Sequence, residues 1–276
     1  MKGINLNSSL VSVEWLNANI EAENLVVLDA TIPKVSGSGV ENTIGYIPKS
    51  RFFDIKNKFS AVDAQFPNTI PSKNQFQTEA RNLGVNSSSC IVIYDQHGIY
   101  SSARAWWLFR YFGHKNVAVL NGGLPEWHKM GFLTVKHYSD ATDKGDFNPK
   151  LNASLFTDFN GVSNFSKCAD VQIIDARPKK RFSGEIPEPR AGLRSGTIPN
   201  SVNLPYTELL DGHKLKSKKE LKGLFNSISD KNKTLVFSCG SGITACNLAL
   251  GATIADYNDI VVYDGSWTEY GTLTEQ

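Results

Sequence analysis

Four segments of this 276-residue chain occur twice, in the same order and at nearly constant spacing. LVVLDAT (25–31) resembles VQIIDAR (171–177), and GYIPKSRFFDI (45–55) resembles GTIPNSVNLPY (196–206). CIVIYDQHG (90–98) resembles TLVFSCGSG (234–242), and NVAVLNGGLPEW (116–127) resembles DIVVYDGSWTEY (259–270). Four matches at offsets of 143 to 151 residues indicate a duplicated domain. Each copy must therefore build its own core from about 130 residues, an ordinary domain size.

Both copies read as α/β. The apolar runs VVL, IVIY and VAVL of the first half return as QII, LVF and IVVY in the second. Short, β-branched and continuous, they suit strands buried on both faces of a parallel sheet. Helical patterns lie between them. In SSARAWWLFRYF (101–112), Ala105, Leu108, Phe109 and Phe112 recur at helical spacing on one face. The expected fold is two tandem α/β domains, each a mostly parallel sheet flanked by helices. The polar stretch around 137–150 marks the join: domain 1–139, linker 140–152, domain 153–276.

Composition narrows the function classes. Hydrophobic residues make up 41% and charged residues 20%, with a formal net charge of +2, so neither nucleic acid nor a membrane surface is an expected partner. No apolar run reaches the length of a membrane span. The opening MKGINLNSSLVSVEW has no apolar leader core, and a cytoplasmic location is expected. The four cysteines, Cys90, Cys168, Cys239 and Cys246, show neither CxxC spacing nor a zinc pattern with histidine. No metal and no organic cofactor is expected.

TLVFSCGSGITACNLAL (234–250) carries the chemistry. A buried strand (234–238) delivers Cys239 to its carboxyl end, where open α/β sheets bind ligands. Gly240 and Gly242 let the chain curl around the sulfur before a helix starts near Thr244. Main-chain amides and the helix dipole then favour an anion at Cys239, which predicts a depressed thiol pKa and a nucleophile. Most cysteines are small buried hydrophobes. That reading holds for Cys246, one turn into the helix, and for Cys90 and Cys168, which lack a glycine cradle. The first-half counterpart of Cys239 is Asp95, and a carboxylate cannot carry sulfur as a persulfide. One working domain and one inert partner follow.

CGSGITAC (239–246) resembles the active-site loop of the 3-mercaptopyruvate sulfurtransferases, a branch of the rhodanese superfamily. RFSGEIPEPRAGLRSGTIPN (181–200), VYDGSWTEY (262–270) and NGGLPEW (121–127) resemble other segments of that family. Rhodanese-like phosphatases need Cys-x5-Arg, and Ala245 stands where that arginine would be. Thiosulfate-specific rhodaneses place cations directly after the cysteine, where this chain has Gly240 and Ser241. The resemblance implies a Cys239 persulfide that moves sulfur from 3-mercaptopyruvate to thioredoxin, a small thiol or cyanide, releasing pyruvate. Arg181 and Arg190 match the family's two substrate arginines, with Arg194 a further candidate nearby. Gly240, Gly242, Ile243 and Thr244 are expected to bind substrate through the loop, and Ser241 to assist proton transfer. The family's matching Asp falls on Asp54. Its His falls on Asn68, and an amide cannot relay protons as imidazole does. Two alternatives stay open: a thiosulfate:cyanide sulfurtransferase, and a non-catalytic persulfide relay protein.

Overall fold

The computed structural model describes residues 3–34 and 44–275; Met1 and Lys2 of the opening stretch lie outside them. Contacts divide the chain into two units. The first comprises residues to 62, 70–152 and 211–215; the second comprises 63–69, 153–210 and 216 onward. Each half of the duplication thus lends a short segment to the other unit.

In the first unit, β1 (Leu10–Val11), β2 (Leu25–Asp29), β3 (Ser50–Phe52), β4 (Cys90–Tyr94) and β5 (Val117–Leu120) form one sheet in the order β1-β5-β4-β2-β3. Every pairing is parallel. Helices α1 (Val13–Asn19), α2 (Lys73–Asn82), α3 (Ser102–Tyr111) and α4 (Gly123–Lys129) connect the strands. Ser12 and Ser72 begin the first two helices by accepting amides of Trp15 and Gln75, which would otherwise lack a partner. One core cluster joins Leu16, Val27, Val92, Ala118 and Trp127. Phe76 stacks on Phe112 and meets Phe59, Phe109 and Phe147 edge-on, forming an aromatic cluster. Helix α3 is more enclosed than its one-face pattern predicts. Every residue from Ser102 to Phe109 is buried, including Arg104, whose guanidinium lies over Trp107.

In the second unit, β6 (Phe156–Thr157), β7 (Val171–Asp175), β8 (Ser201–Asn203), β11 (Thr234–Ser238) and β12 (Ile260–Tyr263) repeat the order as β6-β12-β11-β7-β8, again all parallel. Strands β9 (Leu210–Asp211) and β10 (Lys214–Leu215) make a small separate hairpin. The helices are α5 (Phe159–Phe165), α6 (Lys179–Phe182), α7 (Lys218–Asn226), α8 (Ala245–Ile254) and α9 (Ser266–Leu273). Val162, Ile173, Val236, Val261, Tyr263 and Trp267 form the core.

The expected linker 140–152 does not hang loose at its C-terminal end. Amides of Gly145, Phe147, Lys150 and Asn152 donate to carbonyls of Arg81, Val85, Phe112 and Tyr111 at 2.7–3.1 Å. Its polar side chains suggested a tether, yet its backbone and Phe147 bind it to the first unit.

Candidate active site

Sheet order fixes where a ligand can sit. The chain leaves β7 toward β8 on one side and leaves β11 toward β12 on the other. The connections diverge between these two adjacent strands, and such a switch point opens a crevice at their carboxyl ends. Beyond β11 comes Cys239; beyond β7 come Arg177, α6 and the arginine segment. The loops therefore share one crevice within the second unit.

Cys239 is only 2% exposed, yet polar groups surround it. The Ser266 hydroxyl lies 3.8 Å from its Sγ. The same oxygen accepts the amides of Cys239 at 3.0 Å and Gly242 at 3.2 Å. The first turn of α9 also pins the loop from outside: Trp267 N donates to Cys239 O and Thr268 N to Gly240 O, both at 2.9 Å. The amides of Gly240, Ser241, Ile243 and Thr244 donate to no described residue. Gly242 was expected among the amides around the sulfur, but its amide is held by Ser266 instead. Its φ of +78° explains why glycine stands there.

The duplicated loop shows what such amides do. In the first unit, Asp95 Oδ2 accepts the amides of Tyr100, Ser101 and Ser102 at 2.8–3.0 Å, and Oδ1 accepts that of His97 at 2.9 Å. Four main-chain donors converge on one anion at the end of the strand equivalent to β11.

The arginine segment carries an ion-pair network. Arg177 binds Asp175 through Nη2 (2.8 Å) and Glu188 through Nη1 (2.9 Å), all three buried. Arg181 binds the same Glu188 through Nη2 (2.5 Å) and Nε (3.2 Å). Its guanidinium lies against Gly240, where an added Cβ would meet Nη2 at 3.0 Å. Arg190 donates to the Thr268 hydroxyl, which in turn donates to Gly240 O. Burial pushes the Arg190 guanidinium below the usual arginine range; Cys239 pulls it back up, Arg181 adds to the push, and Glu188 opposes it. Among the described residues Arg190 has no carboxylate partner within ion-pair distance.

Ser241 is buried beside the nucleophile, and Asn68 Nδ2 donates to both its carbonyl and its hydroxyl at 3.0 Å. Asn68 adopts φ +60°, which asparagine tolerates well. Ile243 is buried, and Thr244 is the residue before α8, without a side-chain cap. Asp54 and the further candidate Arg194 each have local partners of their own. Asp54 accepts the Asn57 amide in a local turn of the first unit. Arg194 spends its guanidinium on Thr274 O, Thr274 Oγ1 and Ser195 O, and stacks over Trp267. Cys246 donates to Gly242 O inside the core. Sequence reasoning missed Glu188, Ser266 and Thr268. The second of two carboxylates between the arginines of RFSGEIPEPR was the available signal for the first, and the quoted DGSWTEY segment holds the other two.

Comparison with known proteins identifies the constellation. The rhodanese-like domain matches residues 12–130 and again 160–272. The chain belongs to the rhodanese family. The 3-mercaptopyruvate sulfurtransferase of Mus musculus is 37% identical, over 95% of this chain and 91% of that protein. The mitochondrial thiosulfate/3-mercaptopyruvate sulfurtransferase 1 of Arabidopsis thaliana is 36% identical over 98% and 77%. The crystal structure of SseA, a 3-mercaptopyruvate sulfotransferase from Escherichia coli, superposes with a TM-score of 0.84 at 32% identity, covering 95% of this chain and 99% of that one. This rhodanese-family protein is a sulfurtransferase, and both expected parallel sheets are present. No helix among the described residues is long and apolar enough to cross a membrane.

Proposed function

We propose that the protein transfers sulfur from 3-mercaptopyruvate to a thiol, thioredoxin or cyanide acceptor through a persulfide on Cys239. One observation carries the choice of donor. Among the described residues, Arg177 and Arg181 are matched by Asp175 and Glu188, whereas Arg190, set against Cys239, has no carboxylate partner. One guanidinium without a carboxylate partner suits a monocarboxylate better than the thiosulfate dianion. The mouse relative's name supports the same donor, while the Arabidopsis relative is named for both thiosulfate and 3-mercaptopyruvate.

Mercaptopyruvate docks with its carboxylate on Arg190, and Arg181 lies against Gly240. The Cys239 thiolate attacks the substrate sulfur; an S–S bond forms, the C–S bond breaks, and its electron pair leaves as pyruvate enolate. The enolate takes up one proton to give pyruvate; the Ser241 hydroxyl relays it from the outer S–H of the persulfide, which is left as the persulfide anion. Free amides of Gly240, Ser241, Ile243 and Thr244 hold the outer persulfide sulfur, as the first unit's amides hold Asp95. An acceptor nucleophile then attacks that sulfur and frees the Cys239 thiolate, which completes a ping-pong cycle. The four cysteines are free thiols, which fits the reducing cytoplasm as its compartment.

The test compares kcat/KM for mercaptopyruvate and thiosulfate with cyanide as acceptor, in the wild type and Cys239→Ser. Pyruvate release that exceeds thiosulfate turnover and vanishes in the variant supports the reading. Faster turnover of thiosulfate assigns the protein to the other donor, and mass spectrometry showing no added sulfur on Cys239 rejects the persulfide.

A further inference from the structure

Ser266 stands in a backbone conformation that disfavours it. Its φ is +52°, in the left-handed region that glycine adopts freely and other residues enter at a cost. The duplication supplies a control. NGGLPEW aligns with DGSWTEY, so the first-unit counterpart of Ser266 is Gly123, and Gly123 has φ +54°. A Cβ on Gly123 would meet Asp95 O at 2.4 Å and Gly98 O at 2.5 Å. The unit with a carboxylate at the loop uses glycine at this position; the unit with a thiol uses serine. Strained non-glycine residues persist where something nearby requires them.

What requires it here is the nucleophile loop. A serine hydroxyl has two lone pairs and one proton. Both lone pairs are taken, by the amides of Cys239 and Gly242. The proton has two acceptors within reach, Tyr263 O at 3.0 Å and Cys239 Sγ at 3.8 Å. Two donated hydrogen bonds polarise the O–H and make it a better donor. Ser266 is fully buried, so water does not compete for that proton. A neutral thiol is a poor acceptor, and the proton then rests on the carbonyl. A sulfur anion is a strong acceptor, and the hydroxyl turns to it.

We propose that Ser266 is a positioning residue for sulfur transfer, its hydroxyl holding the Cys239 main chain and donating a hydrogen bond to the sulfur each time it becomes an anion. The sulfur is anionic before attack on the donor and again when the acceptor removes the outer sulfur, so both half-reactions use the contact. This rests on Cys239 being the nucleophile. The charged groups set against Cys239 are Arg190, with Arg181 and Glu188 beside it; α9 carries Glu269, with Asp264 just before it. None is altered by changing Ser266.

The test is Ser266→Gly, which relieves the backbone and removes only the hydroxymethyl group, with Ser266→Ala as a second variant that keeps Cβ. Iodoacetamide labelling of Cys239 is followed by mass spectrometry across pH 5–10, with far-UV circular dichroism to confirm folding. Expected is a labelling midpoint about one pH unit higher, a rate at neutral pH lower by about tenfold, and a similar fall in kcat with KM little changed. An unshifted midpoint in a folded variant overturns the proposal. Loss of fold in both variants also overturns it, since the hydroxyl would then serve only to hold the loop. Labelling needs no sulfur donor, so it stands apart from failure of the donor assignment, which appears as absent pyruvate release with wild-type protein.

Discussion

Arg181 and Glu188 form a two-point ion pair, and the same carboxylate also receives Arg177. Glu188 thereby cancels charge that would otherwise face the loop. Glu188→Gln keeps the shape and removes the charge, leaving a second cation for the donor. Relative kcat/KM for thiosulfate over mercaptopyruvate should rise about tenfold, measured with both donors. Because the pair is buried, unfolding stability should fall by about 3 kcal/mol.

Arg190 reaches the loop through Thr268, and the two should separate in kinetics. Arg190→Ala removes charge-assisted hydrogen bonds of about 1.5–3 kcal/mol, so KM for mercaptopyruvate should rise about 10- to 100-fold. Arg190→Lys should recover little, because a point charge does not reproduce a guanidinium fork. Thr268→Val leaves the guanidinium in place but unanchored, and KM should rise by a smaller factor. Initial rates over a range of donor concentrations check all three.

The thiols should differ in reactivity. Cys168 is exposed, while Cys90 is buried and its thiol is pushed up to about 11 by burial. At pH 7 only about one Cys90 in ten thousand is thiolate. Peptide mapping after brief iodoacetamide treatment should find label on Cys168 and Cys239, with Cys90 and Cys246 labelled only after unfolding. Label on Cys90 in the folded protein would contradict the burial.

Burial also holds the His114 imidazole below its usual range, against opposing hydrogen bonds to main-chain groups of Ser89 and Asn116. The unfolded state therefore takes up a proton below about pH 6.5 that the folded site resists. Stability is fully present above that pH and is lost as pH falls toward the depressed folded value. His114→Gln should flatten this acid limb, as read from urea midpoints between pH 7.5 and 5.

The duplication, both sheets and the Cys–Gly loop were legible because strands buried on both faces leave continuous β-branched runs, and a repeat announces itself. Strand 234–238 and the helix start after Thr244 fell where the pattern put them. The site's inner wiring was not legible. Glu188, Ser266 and Thr268 act through a hydroxyl or carboxylate that only tertiary folding brings to the loop. Arg181 and Arg194 look alike in sequence; what separates them is that one meets a buried glutamate and the other the end of α9. The full enclosure of α3 was hidden for a related reason, since Arg104 and the serines look like a solvent face until their surroundings are known.

Asp95 offers the strictest check on the cradle. Its carboxylate accepts four main-chain amides, those of Tyr100, Ser101 and Ser102 buried and that of His97 partly buried. Asp95→Ala removes that acceptor, and each unsatisfied buried donor costs about 1–3 kcal/mol. Water entering the vacated space will recover part of that, so the expected loss is at least about 3 kcal/mol. Asp95→Asn keeps one acceptor oxygen in the cradle and should lose less. Four of the five tryptophans, Trp15, Trp106, Trp107 and Trp127, belong to the first unit, so tryptophan fluorescence during urea unfolding reports mainly on it. If both variants unfold at the wild-type midpoint, the loop does not depend on an anion at that position, and the parallel drawn for the sulfur on Cys239 loses its support.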